Sequence, residues 1–333
     1  MTHRKDAGLV LAGIRQIELQ AMDRGAELLQ SNEIIGETLF TLISTGTELA
    51  LYLGRADFTS IPGYAAVFRV QEVGSEVQAF KPGDLAFCMG PHRSVQRVRE
   101  TEALLLPEGL SPAVAVFARM MSVSMSTLST TKARPPQRVM VSGLGLVGNM
   151  AAQLFAASGY SVTAYDPVAW KREAAARGSD AGAGSGATVS NLPPVDDPAQ
   201  RGKFALVVEC SGHEQAVLDG CRMVGKNGEV VMVGVPWGRQ TEAYAHELLQ
   251  HVFYNYVVLR SGWEWDIPTH AVSAAEPGIF TNLAGALQWL AAGKVKVDGL
   301  YEVVSPKEAA AVYEDLAEQR NHSLGFVFDW SLV

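Results

Sequence analysis

The chain has 333 residues, a formal net charge of −8 and a hydrophobic content of 48%. Because this length exceeds what one hydrophobic core usually serves, two domains are expected. The net negative charge does not favour binding to nucleic acid or to an anionic membrane. No segment approaches the ~20 consecutive apolar residues that are needed to span a bilayer.

The amino-terminal third of the chain has the pattern of a β-rich domain. Residues 1–110 contain short apolar runs that Gly and Pro interrupt at intervals of roughly ten residues. Residues 7–14 form an apolar stretch that is too short and too glycine-rich for a signal peptide. The three cysteines form no C-x-x-C pair, which indicates neither a disulfide framework nor a structural zinc lobe. We therefore expect a cytoplasmic protein.

A glycine-rich turn marks the start of a second domain, which we predict over residues 111–284. Residues 137–142 have the composition of a buried strand, and residues 146–158 that of an apolar helix. Between them lies the G-x-G-x-x-G spacing, whose glycines allow a tight turn, a close approach to a pyrophosphate and close helix packing. The turn therefore predicts dinucleotide binding by Gly143, Leu144, Gly145, Leu146, Val147 and Gly148.

The acidic residue Asp166 follows a second predicted strand, residues 161–165, and lies eighteen positions after Gly148. This is about the offset at which a carboxylate binds the adenosine ribose hydroxyls. Since it would repel a 2′-phosphate, NAD(H) is preferred, although Lys171 and Arg172 leave NADP(H) possible. The alternative is a helix N-cap or a turn residue before Pro167.

The alternation of strands and helices continues and indicates a doubly wound parallel sheet. Strands are predicted over residues 205–210, 228–234 and 256–260, with a helix over residues 214–224. Ser211 and Gly234, beside two of these strands, join the cofactor candidates. Two stretches rich in Gly, Ala or Pro, residues 179–186 and 191–200, are interpreted as surface connections. A tail with helical and strand-like patterns, about residues 285–333, is expected to rejoin the first domain.

The order of these segments resembles the medium-chain dehydrogenase/reductase superfamily over essentially the whole chain. The turns Val73-Gly-Ser-Glu-Val77 and Lys81-Pro-Gly-Asp84 carry the resemblance together with the glycine-rich turn. The resemblance implies an NAD(P)-dependent enzyme. It also implies an α/β protein: a GroES-like β-rich catalytic domain over residues 1–110, completed by about 285–333, plus a Rossmann domain.

The zinc-ligand positions of the resembling alcohol and polyol dehydrogenases carry other residues in this chain. Thr45 stands where those enzymes have cysteine, Tyr64 replaces histidine and Ala65 replaces glutamate. Hydroxyls are poor zinc ligands beside thiolate, imidazole and carboxylate, so we expect no metal. The S-T-G-T-E and P-G-Y segments resemble the branch of hydroxyethyl bacteriochlorophyllide dehydrogenase and related sugar-associated bacterial oxidoreductases.

Without a metal, another group must polarise the reacting oxygen and exchange its proton. Thr47 matches the position where the family's proton relay begins, and Tyr64 places a phenol near the lost ligands. With a reference pKa of about 10, Tyr64 suits the role of acid in the reductive direction. The alternative, in which Tyr64 only fills space, stays open.

Four further residues are candidates for contact with the substrate, each with a structural alternative. Glu48 could bind a hydroxyl or pair with an arginine such as Arg55, and His92 could reach the substrate or be a solvated loop residue. Trp237 could shield the nicotinamide or pack in the core, and Trp263 could stack on a substrate or lie in a dimer interface.

The sequence thus predicts a zinc-independent, NAD(H)-dependent oxidoreductase that interconverts a secondary alcohol and a ketone. The candidate substrate classes are sugar-like and polycyclic molecules, and hydride transfer is expected in the interdomain cleft. A zinc-free NADPH enone or quinone reductase and a non-catalytic dinucleotide-binding protein are the alternatives. A homodimer that binds a small molecule, but no nucleic acid or membrane, is expected.

Overall fold

A computed structural model of the chain describes residues 6–22, 28–56, 60–179 and 187–333. The strands, in chain order, are β1 (Ala7–Gly13), β2 (Gln16–Ala21), β3 (Glu33–Leu42), β4 (Ala66–Val73), β5 (Leu85–Cys88), β6 (Val95–Arg99), β7 (Ala103–Leu105), β8 (Arg138–Ser142), β9 (Ser161–Tyr165), β10 (Thr188–Ser190), β11 (Phe204–Glu209), β12 (Val224–Met232), β13 (Val258–Ser261), β14 (Tyr301–Val304) and β15 (Gly325–Asp329). The α-helices are α1 (Thr45–Tyr52), α2 (Pro112–Ala115), α3 (Ala118–Thr130), α4 (Leu146–Ala157), α5 (Ala169–Ser179), α6 (Glu214–Met223), α7 (Ala245–Tyr254), α8 (Ile279–Ala291) and α9 (Ala309–Ala317).

Contacts divide the chain into two compact units. The first contains residues 1–119 and 300–333, and the second contains residues 120–299. The sequence placed these borders at residue 110 and at about residue 285. The second border moves because α8 packs within the second unit, where its Asn282 side chain donates to Ser126 Oγ at 3.4 Å.

The first unit is built on a seven-stranded sheet and a separate β1–β2 hairpin. The sheet order is β14-β15-β3-β4-β5-β7, and β6 also pairs with β3. β14 and β15 are parallel, whereas the other pairs are antiparallel. The carboxyl-terminal strands thus complete the sheet that the amino-terminal strands begin, as the sequence predicts. One core cluster of this unit joins Leu9, Tyr52, Tyr313, Phe328 and Trp330.

The second unit is a six-stranded parallel sheet of Rossmann type. Its order is β10-β9-β8-β11-β12-β13, which reads 3-2-1-4-5-6 when the strands are numbered within the unit. The strands are apolar on both faces, as parallel strands covered by helices require. Val139, Met140 and Val141 of β8, for example, are fully buried. The predicted fold class is therefore confirmed.

Several element boundaries differ from the predicted ones. Residues 112–128 form a continuous apolar stretch whose composition predicts a single helix, but the structure has two helices there, α2 and α3. β12 begins at Val224, earlier than the predicted residue 228, because its first residue pairs with Phe204 before a register shift. The three-residue strand β10 was not predicted, since so short an edge strand gives little periodic signal. Of the Gly- and Ala-rich stretch predicted as a surface connection, residues 180–186 lie outside the described residues.

Among the residues that the structure describes, none of the helices combines the length and the apolar composition needed to cross a bilayer.

Candidate functional site

The predicted cofactor residues converge on the carboxyl edge of the parallel sheet in the second unit. The glycine-rich turn follows β8, Asp166 follows β9, Ser211 follows β11 and Gly234 follows β12. The strand order reverses direction between β8 and β11, and ligands of open α/β sheets bind at such a point. The edge that the sequence predicts and the edge that the topology favours are therefore the same.

The three glycines of the turn each have a distinct steric reason. Gly143 has a φ of +86°, and a Cβ there would lie 2.9 Å from the backbone nitrogen of Ser211. A Cβ on Gly148 would overlap the carbonyl oxygen of Gly143, whereas a Cβ on Gly145 would meet no heavy atom within 4 Å. Gly145 thus faces open space, as expected of the glycine that a pyrophosphate approaches.

The amino terminus of α4 offers hydrogen-bond donors to such a pyrophosphate. Helix α4 begins after Gly145, and no side chain caps it. The backbone N–H groups of a first helical turn have no intrahelical partner, and the helix dipole favours negative charge there. The residues Leu146, Val147 and Gly148 form this first turn, so the local geometry fits a dinucleotide phosphate.

Asp166 is used mainly within the protein. It is 4% exposed, its Oδ2 accepts from the backbone N–H of Leu144 at 2.7 Å, and its Oδ1 accepts from that of Val168 at 2.8 Å. The carboxylate therefore joins the glycine-rich turn to the end of β9 and closes the turn at Pro167. This contact pattern matches the turn-residue interpretation, and binding of the ribose by Asp166 stays a prediction.

A buried acid that the sequence analysis missed holds the turn after β11. The side chain of Glu209 accepts hydrogen bonds from Ser211, through both its backbone N–H and its hydroxyl, and from the Gly212 N–H at 3.1 Å. Its backbone carbonyl accepts from the N–H of Gly234 at 2.8 Å. Burial raises the pKa of Glu209, and these hydrogen bonds oppose that rise. The sequence did carry a signal for Glu209, namely an acidic residue near the end of the apolar strand predicted over residues 205–210.

The two predicted catalytic residues lie together in the first unit. Thr47 is in the first turn of α1, and Tyr64 lies in the loop before β4. The Tyr64 hydroxyl is hydrogen-bonded to Ser44 Oγ and lies 3.4 Å from Thr47 Oγ1. Ser44, the residue before α1, was not predicted. The three hydroxyls form a chain along which a proton could move.

A buried arginine lies against the ring of Tyr64. The guanidinium carbon of Arg119 is 4.7 Å from the ring centroid, and Arg119 is 3% exposed. Burial raises the pKa of Tyr64, and the nearby Glu48 carboxylate raises it further, whereas the charge of Arg119 and the hydrogen bonds with Ser44 and Thr47 lower it. Arg119 is a third residue, after Glu209 and Ser44, that the sequence analysis missed.

Glu48 occupies the centre of a buried polar network. It is 1% exposed, and its Oε1 accepts from the backbone N–H of Ser44 at 2.7 Å. Its Oε2 lies 3.0 Å from His92 Nε2 and accepts a hydrogen bond from the hydroxyl of Tyr313 on α9. Glu48 therefore has a structural role, but with these partners in place of the suggested Arg55.

The interpretation of His92 as a solvated loop residue is wrong. Its side chain is fully buried, and its Nδ1 lies 2.7 Å from Thr41 Oγ1, which also accepts from Trp330 Nε1 at 3.0 Å. Backbone hydrogen bonds with Leu9 and Pro62 draw the loop of His92 into the unit. With both ring nitrogens occupied and no exposed surface, His92 supports the network around Glu48, and its contact with a substrate stays a prediction.

The two tryptophans proposed for the substrate lie in the second unit. Trp237 is partly buried in the loop after β12, and its backbone N–H donates to the carbonyl of Val235. Trp263 follows β13 and is 67% exposed. An exposed aromatic ring suits either substrate stacking or a subunit contact, so both interpretations of Trp263 remain.

The residues at the zinc-ligand positions do not fit a catalytic zinc ion. Thr45 and Tyr64 offer only hydroxyl groups, and Ala65 offers no ligand. Within the described ranges, no group of three or more His, Cys, Asp or Glu side chains could hold a metal ion. We therefore derive no step through zinc.

One domain of the chain matches a known family model. Residues 147–261 match the family model described as zinc-binding dehydrogenase. This match lies in the second unit and does not include positions 45, 64 and 65, so its name says nothing about the zinc ligands. No curated protein matches the sequence significantly.

Solved structures match the whole chain at low sequence identity. Galactitol-1-phosphate dehydrogenase from Escherichia coli is 16% identical with a TM-score of 0.79, and covers 97% of this chain and 99% of its own. Acetophenone reductase from Geotrichum candidum, in complex with NAD, is 15% identical with a TM-score of 0.78 and full coverage of both chains. A quinone oxidoreductase from Pseudomonas syringae is 20% identical with a TM-score of 0.74, and covers 97% of this chain and 99% of its own.

The fold and the matched domain confirm the predicted resemblance to the medium-chain dehydrogenase/reductase superfamily. The domain match to zinc-binding dehydrogenases favours the predicted class of enzyme, an NAD(P)-dependent member of that superfamily. The resemblance to the bacteriochlorophyllide dehydrogenase branch stays a prediction.

Proposed function

We propose that this chain is a zinc-independent oxidoreductase that interconverts a secondary alcohol and a ketone with NAD(H). The observation that carries the proposal is the hydroxyl chain of Tyr64, Ser44 and Thr47 in the first unit, where the zinc-ligand positions offer no metal site. The steric fit of the glycine-rich turn to a dinucleotide in the second unit supports the cofactor. A bound nicotinamide would supply or accept the hydride.

In this proposal the protein's own residues handle the oxygen and its proton. Tyr64 contacts the reacting oxygen and donates a proton to it during ketone reduction, while Thr47 and Ser44 hold the phenol in place. Glu48 and His92 act indirectly, through Ser44. Glu48 accepts a hydrogen bond from the backbone N–H of Ser44, and His92 contacts Glu48. Acetophenone reductase shares the fold and acts on a ketone, as its name states.

A zinc-free NADPH-dependent enone or quinone reductase is the second candidate. The specific observation in its favour is the structural similarity to a quinone oxidoreductase. Asp166 argues for NADH instead, because a carboxylate beside the ribose would repel a 2′-phosphate. A non-catalytic dinucleotide-binding protein would bind NADH yet give no turnover with any alcohol, ketone or enone.

The homodimer also stays a proposal, as does a cytoplasmic location. β13 is the last strand in the order of the parallel sheet, and exposed aromatic residues lie on α7 and after β13. Phe253 is 74% exposed, Tyr254 69% and Trp265 53%. Such a concentration of exposed aromatic surface beside a sheet edge is characteristic of an interface.

The proposed cofactor preference predicts the effect of replacing Asp166 with serine. Loss of the carboxylate should reduce the preference for NADH over NADPH by about tenfold, the equivalent of roughly 1.4 kcal/mol. Fluorescence titration of the purified variants with each cofactor measures the two Kd values. Asp166→Asn is the matched control for shape, since it removes the charge and retains an oxygen that can accept from Leu144. An unchanged ratio in both variants would contradict the proposed preference.

The proposed chemistry predicts the effect of replacing Tyr64 with phenylalanine. Turnover of secondary alcohols with NAD, or of ketones with NADH, should fall by about 10²-fold or more because the proton donor is lost. The Kd for NADH should stay nearly unchanged. A panel of substrates, assayed with and without a chelator and with metal content measured, tests the reaction and the zinc independence together. A fully active Tyr64→Phe variant would make the phenol a packing group.

A further inference from the structure

Arg119 has an unusual position for a charged residue. It is the only charged residue in the sequence between Glu108 and Lys132, and its neighbours in α2 and α3 are apolar or small and polar. In the structure it lies in the first turn of α3 and is 3% exposed. The sequence thus places one cation in an otherwise uncharged stretch, and the fold encloses it.

Two physical effects oppose this placement. Removing a guanidinium from water has a desolvation cost of several kcal/mol before any compensating contact. The first turn of a helix carries a partial positive charge, which repels a cation. A methionine or leucine would fill the same space without either cost, so packing alone does not account for Arg119. Residues that break local rules in this way concentrate at functional sites.

The group that the cation faces is the proposed proton donor. The guanidinium carbon lies 4.7 Å from the centroid of the Tyr64 ring, within the range of a cation–π contact. The hydroxyl of the same ring bonds to Ser44, whose backbone N–H is held by the buried carboxylate of Glu48. Tyr64 therefore lies near both a buried cation and a buried carboxylate, and of these two charges only the cation favours an ionised phenol.

We propose that Arg119 is a positioning residue that activates Tyr64 by stabilising its phenolate. It thereby supplies positive charge at a place where the residues at the zinc-ligand positions do not fit a zinc ion. The inference rests on the proposed alcohol and ketone chemistry. In ketone reduction a bound reduced nicotinamide would supply the hydride for the new C–H bond, and the carbonyl π electrons would move to oxygen. That oxygen takes the proton as the Tyr64 O–H bond breaks. The phenolate beside Arg119 then regains a proton from water, so one ketone, one NADH and one proton give one alcohol and one NAD⁺.

The decisive measurement follows the ionisation of Tyr64 directly and needs no substrate. Tyrosine is replaced throughout the protein by a ring-difluorinated tyrosine, whose phenol ionises at lower pH. The ¹⁹F NMR resonance that disappears in Tyr64→Phe is that of Tyr64. The pH at which half of the Tyr64 phenol is ionised, here called the midpoint, is then measured from this resonance in the unchanged protein and in Arg119→Met, Arg119→Gln and Arg119→Lys. Glutamine retains hydrogen-bonding capacity, so it provides a second neutral variant if methionine impairs folding.

We expect the midpoint to rise by about one pH unit in the neutral variants and to return most of the way in Arg119→Lys. A purely structural arginine would leave the midpoint unchanged in a folded neutral variant, and that result would overturn the inference. A midpoint that stays near that of the unchanged protein in Arg119→Gln but rises in Arg119→Lys would overturn the inference too, because the charge at position 119 would then be irrelevant.

A second measurement separates this inference from the proposed function. In an active enzyme, the limb of the kcat/KM pH profile that Tyr64→Phe removes should move to higher pH in Arg119→Met. If no substrate turns over but the midpoint shifts, the proposed reaction fails while the coupling of Arg119 to Tyr64 stands. If Tyr64→Phe abolishes turnover but neither the midpoint nor the limb moves in Arg119→Met, the reaction stands and the role of Arg119 fails.

Discussion

Alanine in place of Gly148 is expected to lower the free energy of unfolding by about 3 kcal/mol and to abolish detectable NADH binding. The added Cβ would overlap the carbonyl oxygen of Gly143, and it would lie 3.2 Å from the Cβ of Cys210. The obstructing carbonyl is backbone rather than a flexible side chain, so relief requires the glycine-rich turn and α4 to move apart. Urea unfolding and fluorescence titration with NADH measure the two losses.

Gly145 provides the matched control for this experiment. A Cβ at this position meets no heavy atom within 4 Å, and its φ of −62° suits alanine. Gly145→Ala should therefore change the unfolding free energy by no more than about 0.5 kcal/mol. It should still weaken NADH binding by about tenfold or more, since the methyl group occupies space that the pyrophosphate needs. Equal losses of stability in the two variants, or unchanged affinity in Gly145→Ala, would contradict the assignment of these glycines.

Replacement of Glu48 by alanine is expected to destabilise the chain by about 3–5 kcal/mol. The carboxylate satisfies the backbone N–H of Ser44, contacts His92 and accepts from the Tyr313 hydroxyl. Because the surroundings are buried, its removal leaves these groups without partners and also leaves a cavity. Urea unfolding of the variant at neutral pH measures the loss.

Tyr313→Phe is the control for the network around Glu48. It removes one hydrogen bond and retains both the ring and the carboxylate, so the expected loss is about 1–2 kcal/mol. The cost of Glu48→Ala should then clearly exceed that of Tyr313→Phe. Equal costs would mean that the carboxylate contributes only its contact with Tyr313, and that His92 and Ser44 find other partners.

The regular elements of the second unit were predictable because their signals are local. Buried parallel strands and apolar helices have short repeats, and glycine at Gly143 and Gly148 is required by contacts within the turn or beside it. β10 was missed because three residues at an edge carry almost no pattern. The split of residues 112–128 into two helices was also missed, since the composition is continuous across the break.

The partners of the buried charges could not be predicted in the same way. Glu48 is joined to Tyr313, 265 positions later in the chain, and His92 is joined to Thr41, 51 positions earlier. A loop histidine between proline and arginine has the local pattern of a solvated residue, and only the surrounding sheet encloses it. Arg119 did carry a local signal, a lone charge in an uncharged stretch, which becomes informative once its burial against Tyr64 is known.

The sequence by itself determined the fold class and predicted a place for a dinucleotide, because backbone conformation and strand–helix alternation are encoded by neighbouring residues. Tertiary structure decided that Asp166 holds the turn of Leu144, that His92 is buried and that Arg119 faces Tyr64. The physical reason is that the energy of a charge depends on the groups and the solvent around it. In this chain, those surroundings come from segments that are distant in sequence.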